Sequence, residues 1–594
     1  MSENRALKGG EFLIKDIEYQ QSFIPEEFTE EQKMIAQTCK DFTETKVLPN
    51  IEQLETHDNE LLKKLMKEAG EMGLLGVSLP EKYNGFGQSF VTSMLSVEEM
   101  GKGFSFAVAF SAHTGIGTLP ILYFGNEKQK AKYLPKLATG EYIGAYALTE
   151  PQAGSDANSG STKAVLSDDG KHWILNGSKM WITNASIADL FIVYAKIDDD
   201  KNLSAFIVER NTEGFRIGEE EHKMGIKGSS TTQIFFDNAK IPVENLLGER
   251  NKGFKIALYI LNLGRIKLAG ASVGAGKATI DASIQYANER KQFGTTIGNF
   301  GAIKHKLAEM VIRNFANESL TYRASQNIED EIDALIAEGM QRDLADIEGI
   351  RQYAIEASMA KVFGSEVLDY VVDEAVQIHG GMGYSAEMMV ERAYRDSRIN
   401  RIFEGTNEIN RMVAVGELLK RGFKGELDLL TPAKAVADEL MQIPDFGTGS
   451  ETYFEKKHKY VKNFKKAILM VAGAALQKFG DKFQYEQELI MSAADMLMMT
   501  YAAESTLLRV QKLADTYSEE QIAIYKDILD VFIYDTAWKL WKTGTDAVNA
   551  FADGDEQQAM LMGLKRFAKV DPVNVKDARR RIADKMLDDG KYKF

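Results

Sequence analysis

Glu404 sits in Arg401–Arg411, RIFEGTNEINR, between a large aromatic, Phe403, and Gly405, with Thr406, Asn407 and Glu408 directly after it. A carboxylate flanked in this way can be held in a partly dry pocket, where burial raises its pKa and strengthens it as a base. The bland alternative is a solvated glutamate paired with Arg398 or Arg401, the commoner fate of its residue type. The company the segment keeps decides between the two.

Six more strings stand in the same chain: ALTEPQAGSD (Ala147–Asp156), KMWITN (Lys179–Asn184), KMGIKGSS (Lys223–Ser230), NLGR (Asn262–Arg265), ERKQFG (Glu289–Gly294) and VQIHGGMGY (Val376–Tyr384). Together with RIFEGTNEINR, and in this order, they resemble the acyl-CoA dehydrogenases over more than half of the chain. The resemblance is closest to the very-long-chain branch, which also has a long helical extension after the catalytic segment, here about residues 425–594.

The resemblance implies α,β-dehydrogenation of a fatty acyl-CoA thioester, with long chains in β-oxidation as the expected substrates. The α-carbon loses a proton and the β-carbon a hydride. No side chain accepts a hydride, so a flavin is required, here FAD. Glu404 is the implied base, its own backbone N–H and a ribityl hydroxyl polarising the thioester carbonyl. Electrons would leave through an electron-transferring flavoprotein. An acyl-CoA oxidase using oxygen is the alternative within the same fold, and a catalytically silent helical assembly protein the alternative outside it.

In ALTEPQAGSD, Pro151 and Gly154 break a strand, while Thr149 and Ser155 offer hydroxyls and free N–H groups that suit the edge of an isoalloxazine ring. By resemblance, Ala147, Leu148, Thr149 and Ser155 line the flavin or the neighbouring thioester, and Trp181, Ile182 and Thr183 cover its other side. Arg290, Gln292 and Phe293, with Gln377, Gly380 and Gly381, match the segments that hold the pyrophosphate and adenosine. An arginine fork suits a pyrophosphate, and paired glycines let backbone approach a nucleotide closely. Gly380 also reads as an ordinary helix cap. In the family these segments come partly from a neighbouring subunit, which implies a homodimer or a higher homo-oligomer. Thr406 and Glu408 are assigned to the cofactor as well. Ser155, Asn262, Arg265, Phe403 and Gly405 match substrate contacts. Gly264 leaves Glu404 without a competing base on that helix and leaves room beside the thioester.

No strand followed by G-x-G-x-x-G marks a dinucleotide-binding Rossmann unit. Gly270–Ala278, GASVGAGKA, imitates a phosphate loop but has Ala278 where a Ser or Thr is required, so its small residues read as helix packing.

The bulk composition is that of a globular protein, 44% hydrophobic and 27% charged over 594 residues. A net charge of −15 argues against nonspecific nucleic-acid binding, which depends on basic side chains. The single cysteine, Cys39, excludes an internal disulfide and a multi-thiolate metal site, and reads as a small buried residue. The leader MSENRALKGGEF lacks the apolar core of a secretory signal, and the most lipid-like run, Ala467–Leu476, is too short to span a bilayer. A cytoplasmic protein is expected. Arg579–Arg581 could touch an anionic surface, but the aspartates around it favour a solvated face over peripheral membrane contact.

These residues need elements to hold them. Apolar positions such as Leu61, Leu62, Leu65, Met66 and Ala69 recur at helical spacing up to about residue 141. Leu190–Ile197, Leu203–Val208 and Thr232–Phe236 are short β-branched or aromatic runs. Helical periodicity returns after about 252. The expected fold is mainly α with a central β-domain: an N-terminal helical domain (1–141), a small β-barrel or sandwich (142–252), a four-helix-bundle-type domain carrying Glu404 (253–424) and an extra C-terminal helical domain (425–594).

Overall fold

The computed structural model describes residues 6–440 and 451–594. Residues 1–5 of the N-terminal stretch and residues 441–450 of the expected extension lie outside the described residues. Helices occupy the chain up to Ala138, and their starts follow from local chemistry. Thr29 and Gln32 form a reciprocal capping box on Glu30–Phe42, Asp58 caps Asn59–Glu71, and Ser89 caps Phe90–Met100. Asn59–Glu71 buries Leu62, Leu65, Met66 and Ala69 against Cys39 and Phe42. Phe90–Met100 is buried nearly all round, as a helix in the middle of the molecule must be.

Eight strands follow: β1 Gly144–Ala147, β2 Lys163–Leu166, β3 His172–Thr183, β4 Leu190–Ile197, β5 Ser204–Glu209, β6 Phe215–Glu220, β7 Thr231–Pro242 and β8 Leu246–Leu247. They form one sheet of order β6-β7-β3-β2-β4-β5-β8, with β1 also parallel to β4. β4 joins the layers. Its Phe191, Val193, Ala195 and Ile197 enter the β-core, while Leu190, Ile192 and Tyr194 enter a core shared with the helices, including Ile256, Ile260 and Leu263. A strand buried on both faces has no polar alternation, hence LFIVYAKI.

Four helices then form the bundle: Gly253–Glu289, Gly301–Ala337, Ala354–His379 and Asn407–Phe423. The phosphate-loop imitation lies within the first of them and is packing. A Cβ at Gly274 would fall 1.8 Å from the Glu98 carbonyl oxygen, and one at Gly276 would fall 2.4 Å from Asn314 Oδ1.

The C-terminal helices, among them Gln487–Leu513 and Val575–Asp589, pack on Gly301–Ala337 and bury Met496, Met499, Ala503 and Leu507. Ion pairs stitch this seam, Arg509–Glu318 at 2.9 Å and Arg323–Glu504 at 2.9 Å, and Arg411–Asp495 at 2.8 Å ties Asn407–Phe423 to Gln487–Leu513. In the basic run Arg579–Arg581, Arg580 and Arg581 are exposed and Arg579 alone departs from a solvated face. Arg579 lies in the seam, 2.7 Å from Glu309 and 2.8 Å from Asp535, and Arg581 pairs with Asp527, so the partners come from other helices. The reading of Ala467–Leu476 as the most lipid-like run is also corrected. Ser105–Phe124 and Gly253–Glu289 are long and apolar enough to cross a bilayer by composition, and both are mostly buried inside the protein.

Candidate active site

The loop that carries Glu404 is held in an uncommon conformation. Glu404 has φ +58° and Gly405 φ +81°, both in the left-handed region, which a residue with a Cβ seldom occupies unless its surroundings compel it. The compulsion comes from three cationic or amide side chains that seize the loop carbonyls. Arg265 Nε donates to Glu404 O at 3.4 Å, and Lys361 Nζ donates to Gly405 O at 2.7 Å. Asn410 Nδ2 is shared among the carbonyls of Glu404, Gly405 and Thr406 at 3.3, 2.8 and 3.1 Å. Asn262 Oδ1 steadies Arg265 by accepting from its Nη1 at 2.8 Å, and the Thr406 hydroxyl caps Asn407–Phe423 by accepting from Ile409 N.

The side chain points the other way, into a cleft of about 1140 Å³ including its open mouth. Glu404 Oε2 is buried there and has no hydrogen-bond partner among the described residues. The carboxylate packs on Gly264, where a Cβ would lie 2.5 Å from Oε2. Burial pushes the Glu404 carboxyl up to about 7, against the opposing pull of Arg265 and Lys361. Burial lowers both cations, Lys361 to about 7 and Arg265 to about 10. Among the described residues the Glu404 N–H has no protein acceptor.

The cleft runs between Gly253–Glu289, Ala354–His379, Met389–Ser397 and the segment around Gly101–Ile116, and its walls are mostly small and apolar. Phe403 and Thr183 line it. So does Asp396, whose carboxyl burial raises to about 7 and whose Oδ1 accepts from Ile226 N, pinning the KMGIKGSS segment to the bundle. Asn262 and Arg265 are buried behind Glu404 instead of facing the cleft, so their polar atoms position the loop.

The other motif residues gather at β1 and β3. A bulge sets two β3 residues, Met180 and Trp181, against Gln233 of β7, and Trp181 takes φ +61° with 52% of its surface exposed. Lys179, fully buried, donates to Leu148 O at 3.1 Å and to Glu150 Oε1 at 2.6 Å. Met180 N donates to Thr149 O at 2.9 Å, and among the described residues the Thr149 N–H has no protein acceptor. The side chains of Ala147, Leu148 and Ile182 lie in the cores, so those three can offer a ligand backbone atoms only. Ser155 is exposed. A free N–H, an exposed indole and a threonine facing the cleft fit a flat heteroaromatic ring with polar edges.

Arg290, Gln292, Phe293, Gln377, Gly380 and Gly381 are not brought to this cleft and lie on the outer face of the chain. Phe293 is 95% exposed at φ +53°. Gly380 is the C-cap of Ala354–His379 at φ +58°, with open space where a Cβ would be, as at Gly381. Glu408 is exposed at the first turn of its helix.

Lys361, Asn410, Asp396 and the role of Lys179 escape a reading of the sequence. The available signals are a solitary lysine in the apolar stretch Ala357–Gly364, ASMAKVFG, and an asparagine inside RIFEGTNEINR itself.

Comparison with known proteins bears on the same segments. Acyl-CoA dehydrogenase profiles match for the N-terminal domain over residues 29–141, the middle domain over 145–239, and the C-terminal domain over 251–419, with a second C-terminal domain profile over 463–566. A Bacillus subtilis protein described as a probable acyl-CoA dehydrogenase is 46% identical over 98% of both chains. The human very long-chain specific mitochondrial enzyme is 42% identical over 59% of this chain and 52% of its own. A crystal structure of an acyl-CoA dehydrogenase complexed with FAD from Bacillus anthracis is 46% identical, with TM-score 0.96, covering 99% of this chain and 100% of that one. Butyryl-CoA dehydrogenase from Megasphaera elsdenii is 38% identical with TM-score 0.60, covering 66% of this chain and 99% of its own. The chain therefore belongs to the acyl-CoA dehydrogenase family, FAD-dependent oxidoreductases acting on acyl-CoA thioesters.

Proposed function

We propose that Glu404 removes the α-proton of a long-chain fatty acyl-CoA held in the cleft. The observation that carries this is the buried Oε2, with no hydrogen-bond partner among the described residues, facing the cleft from a carboxyl whose pKa burial sets near 7. A base of that pKa is largely ionised just above neutrality, yet strong enough to take an α-proton. FAD, when bound, supplies the hydride acceptor. The protein's part is to hold the thioester across Glu404, keep water out and offer the free Glu404 N–H to the thioester oxygen as negative charge gathers there. Arg265, Lys361 and Asn410 keep that N–H and the carboxylate aimed together.

Thr149, Trp181 and Thr183 would hold the ring, with Ser155 at the rim and backbone atoms of Ala147, Leu148 and Ile182 completing its edge. Thr406 and Glu408, at the start of the following helix, would complete the cofactor side of the loop. Arg290, Gln292, Phe293, Gln377, Gly380 and Gly381 would hold the adenosine half of the cofactor of a second copy. Their exposure on one chain supports a homodimer.

The long-chain reading rests on the cleft. Its lining positions on Gly253–Glu289 run from Gly264 to Thr279, about 22 Å of helix, and include Ala271, Ala275 and Ala278. Such a length suits an extended long acyl tail better than a butyryl group. Turnover across acyl-CoAs of increasing length tests it. Wild type should favour long chains, and Ala275→Phe should shift the optimum to shorter ones. A short-chain optimum in wild type would contradict it. An electron-transferring flavoprotein is the proposed acceptor. Stoichiometric peroxide at full rate without that partner would make the enzyme an oxidase instead.

A further inference from the structure

Lys179 has a chemical consequence beyond closing a buried ion pair. Its ammonium donates to the carbonyl of Leu148, and that carbonyl shares one peptide unit with the Thr149 N–H. The O end of this unit is thus bonded to a buried cation, while its N–H end has no protein acceptor among the described residues. A cation on the oxygen draws electron density along the amide and makes the N–H a stronger donor, an effect that a water-poor interior enlarges.

The arrangement is rigid. Glu150, 2% exposed, is fixed by Ser161 N at 2.6 Å, Ser161 Oγ at 3.0 Å and Thr162 N at 3.1 Å, and it holds Lys179 in turn at 2.6 Å. The next carbonyl, Thr149 O, is taken by Met180 N of the bulge, which fixes the tilt of the segment. Glu150 also offsets most of the ammonium's net charge, so what reaches the Leu148–Thr149 peptide is an oriented dipole with its positive end on the carbonyl oxygen.

We propose that Lys179 is a positioning residue that raises the reduction potential of the bound flavin through the Leu148–Thr149 peptide. The inference rests on the reading above that the Thr149 N–H faces the ring. A reduced ring is richer in electrons than an oxidised one, so a strengthened donor favours the reduced form and pulls the couple upward.

Two variants test this on the full-length holoenzyme, read as FAD content, affinity for oxidised FAD and the two-electron potential by equilibration with dyes across a range of pH. Lys179→Met combined with Glu150→Gln removes both charges without stranding either. It should keep the affinity for oxidised FAD and bind the reduced ring about tenfold more weakly, a downward shift of about 30 mV for a two-electron couple. Glu150→Gln alone removes the counter-charge that keeps the buried ammonium protonated, so near neutral pH Lys179 should lose its proton and the potential should fall below wild type as in the double variant, the gap closing as acid restores the ammonium. A residue that merely braces the loop would weaken oxidised and reduced FAD equally in the double variant and give no pH-dependent potential difference from wild type in Glu150→Gln. That result overturns the proposal. Should the double variant fail to retain FAD, the pH dependence of the Glu150→Gln shift relative to wild type decides alone. Absence of FAD from the wild-type protein would instead refute the flavin-site reading, so the two failures are distinct.

Discussion

The Glu404 carboxylate rests on the bare backbone of Gly264: a methyl group at that glycine would stand 2.5 Å from Oε2 and 2.8 Å from Cδ. The glycine sits on the long buried helix Gly253–Glu289, and the glutamate on a loop bent through two successive left-handed residues. Each makes sense only with the other. The helix leaves a gap one side chain deep, and the loop is forced into an unusual shape to fill it with a carboxylate.

Gly264→Ala should therefore push the carboxylate out of line while leaving the flavin segments untouched. FAD content is expected to stay normal, and kcat to fall by about 100-fold, the scale of an ångström's misplacement of a reacting group. Steady-state kinetics with a flavin absorption spectrum checks both halves.

Activity should rise with pH through about 7 in the free enzyme, because the Glu404 carboxyl is raised to about 7 and cannot accept a proton until it has lost its own. Arg265 pulls that value down, so Arg265→Gln should move the ascending limb of kcat/KM to higher pH. A limb that stayed in place, or moved toward acid, would show that another group titrates.

Asn410 bonds to three consecutive carbonyls of the loop. Asn410→Ala leaves them short of a donor and should destabilise the fold by about 1–3 kcal/mol, the cost of unsatisfied buried polar groups. It should also lower kcat more than it raises KM, since the loop holds the base. Denaturant unfolding and kinetics on one preparation test the pair of effects.

Lys267, 5% exposed, lines the cleft, makes no ion pair among the described residues, and is lowered to about 8 by burial alone. Its folded pKa lies below the unfolded one, so the penalty is complete below about pH 8 and fades as pH rises toward the unfolded value. Lys267→Met should raise stability at neutral pH by about 1–4 kcal/mol, and the gain should shrink in alkaline buffer. Melting curves at neutral and alkaline pH suffice.

Much of the architecture was legible because its strongest signals are burial signals. LFIVYAKI is readable as β4 because both faces are covered, and Leu62, Leu65 and Met66 show the helical period because one face of their helix is. β6 (FRIGEE) was not, since its burial is patchy and no alternation survives, and most of β3 was hidden by the bulge that interrupts its register. Glu404 and Gly264 were both singled out from their strings. Arg265 and Asn262 read from the sequence as substrate contacts, whereas in the structure Arg265 donates to the Glu404 carbonyl and Asn262 Oδ1 accepts from Arg265. Lys361 was missed for the same reason: its partner, Gly405 O, is a backbone atom supplied by a distant loop, and no side-chain pattern announces such a pairing.

Anaerobic addition of a long-chain acyl-CoA to the flavin-loaded Glu404→Gln variant is the most direct trial of the base assignment. Wild type should lose its yellow colour within the mixing time of the experiment, while the variant should bind the thioester and remain oxidised, slower by at least about 100-fold as expected on removing a positioned general base. Bleaching of the variant at the wild-type rate would contradict the account.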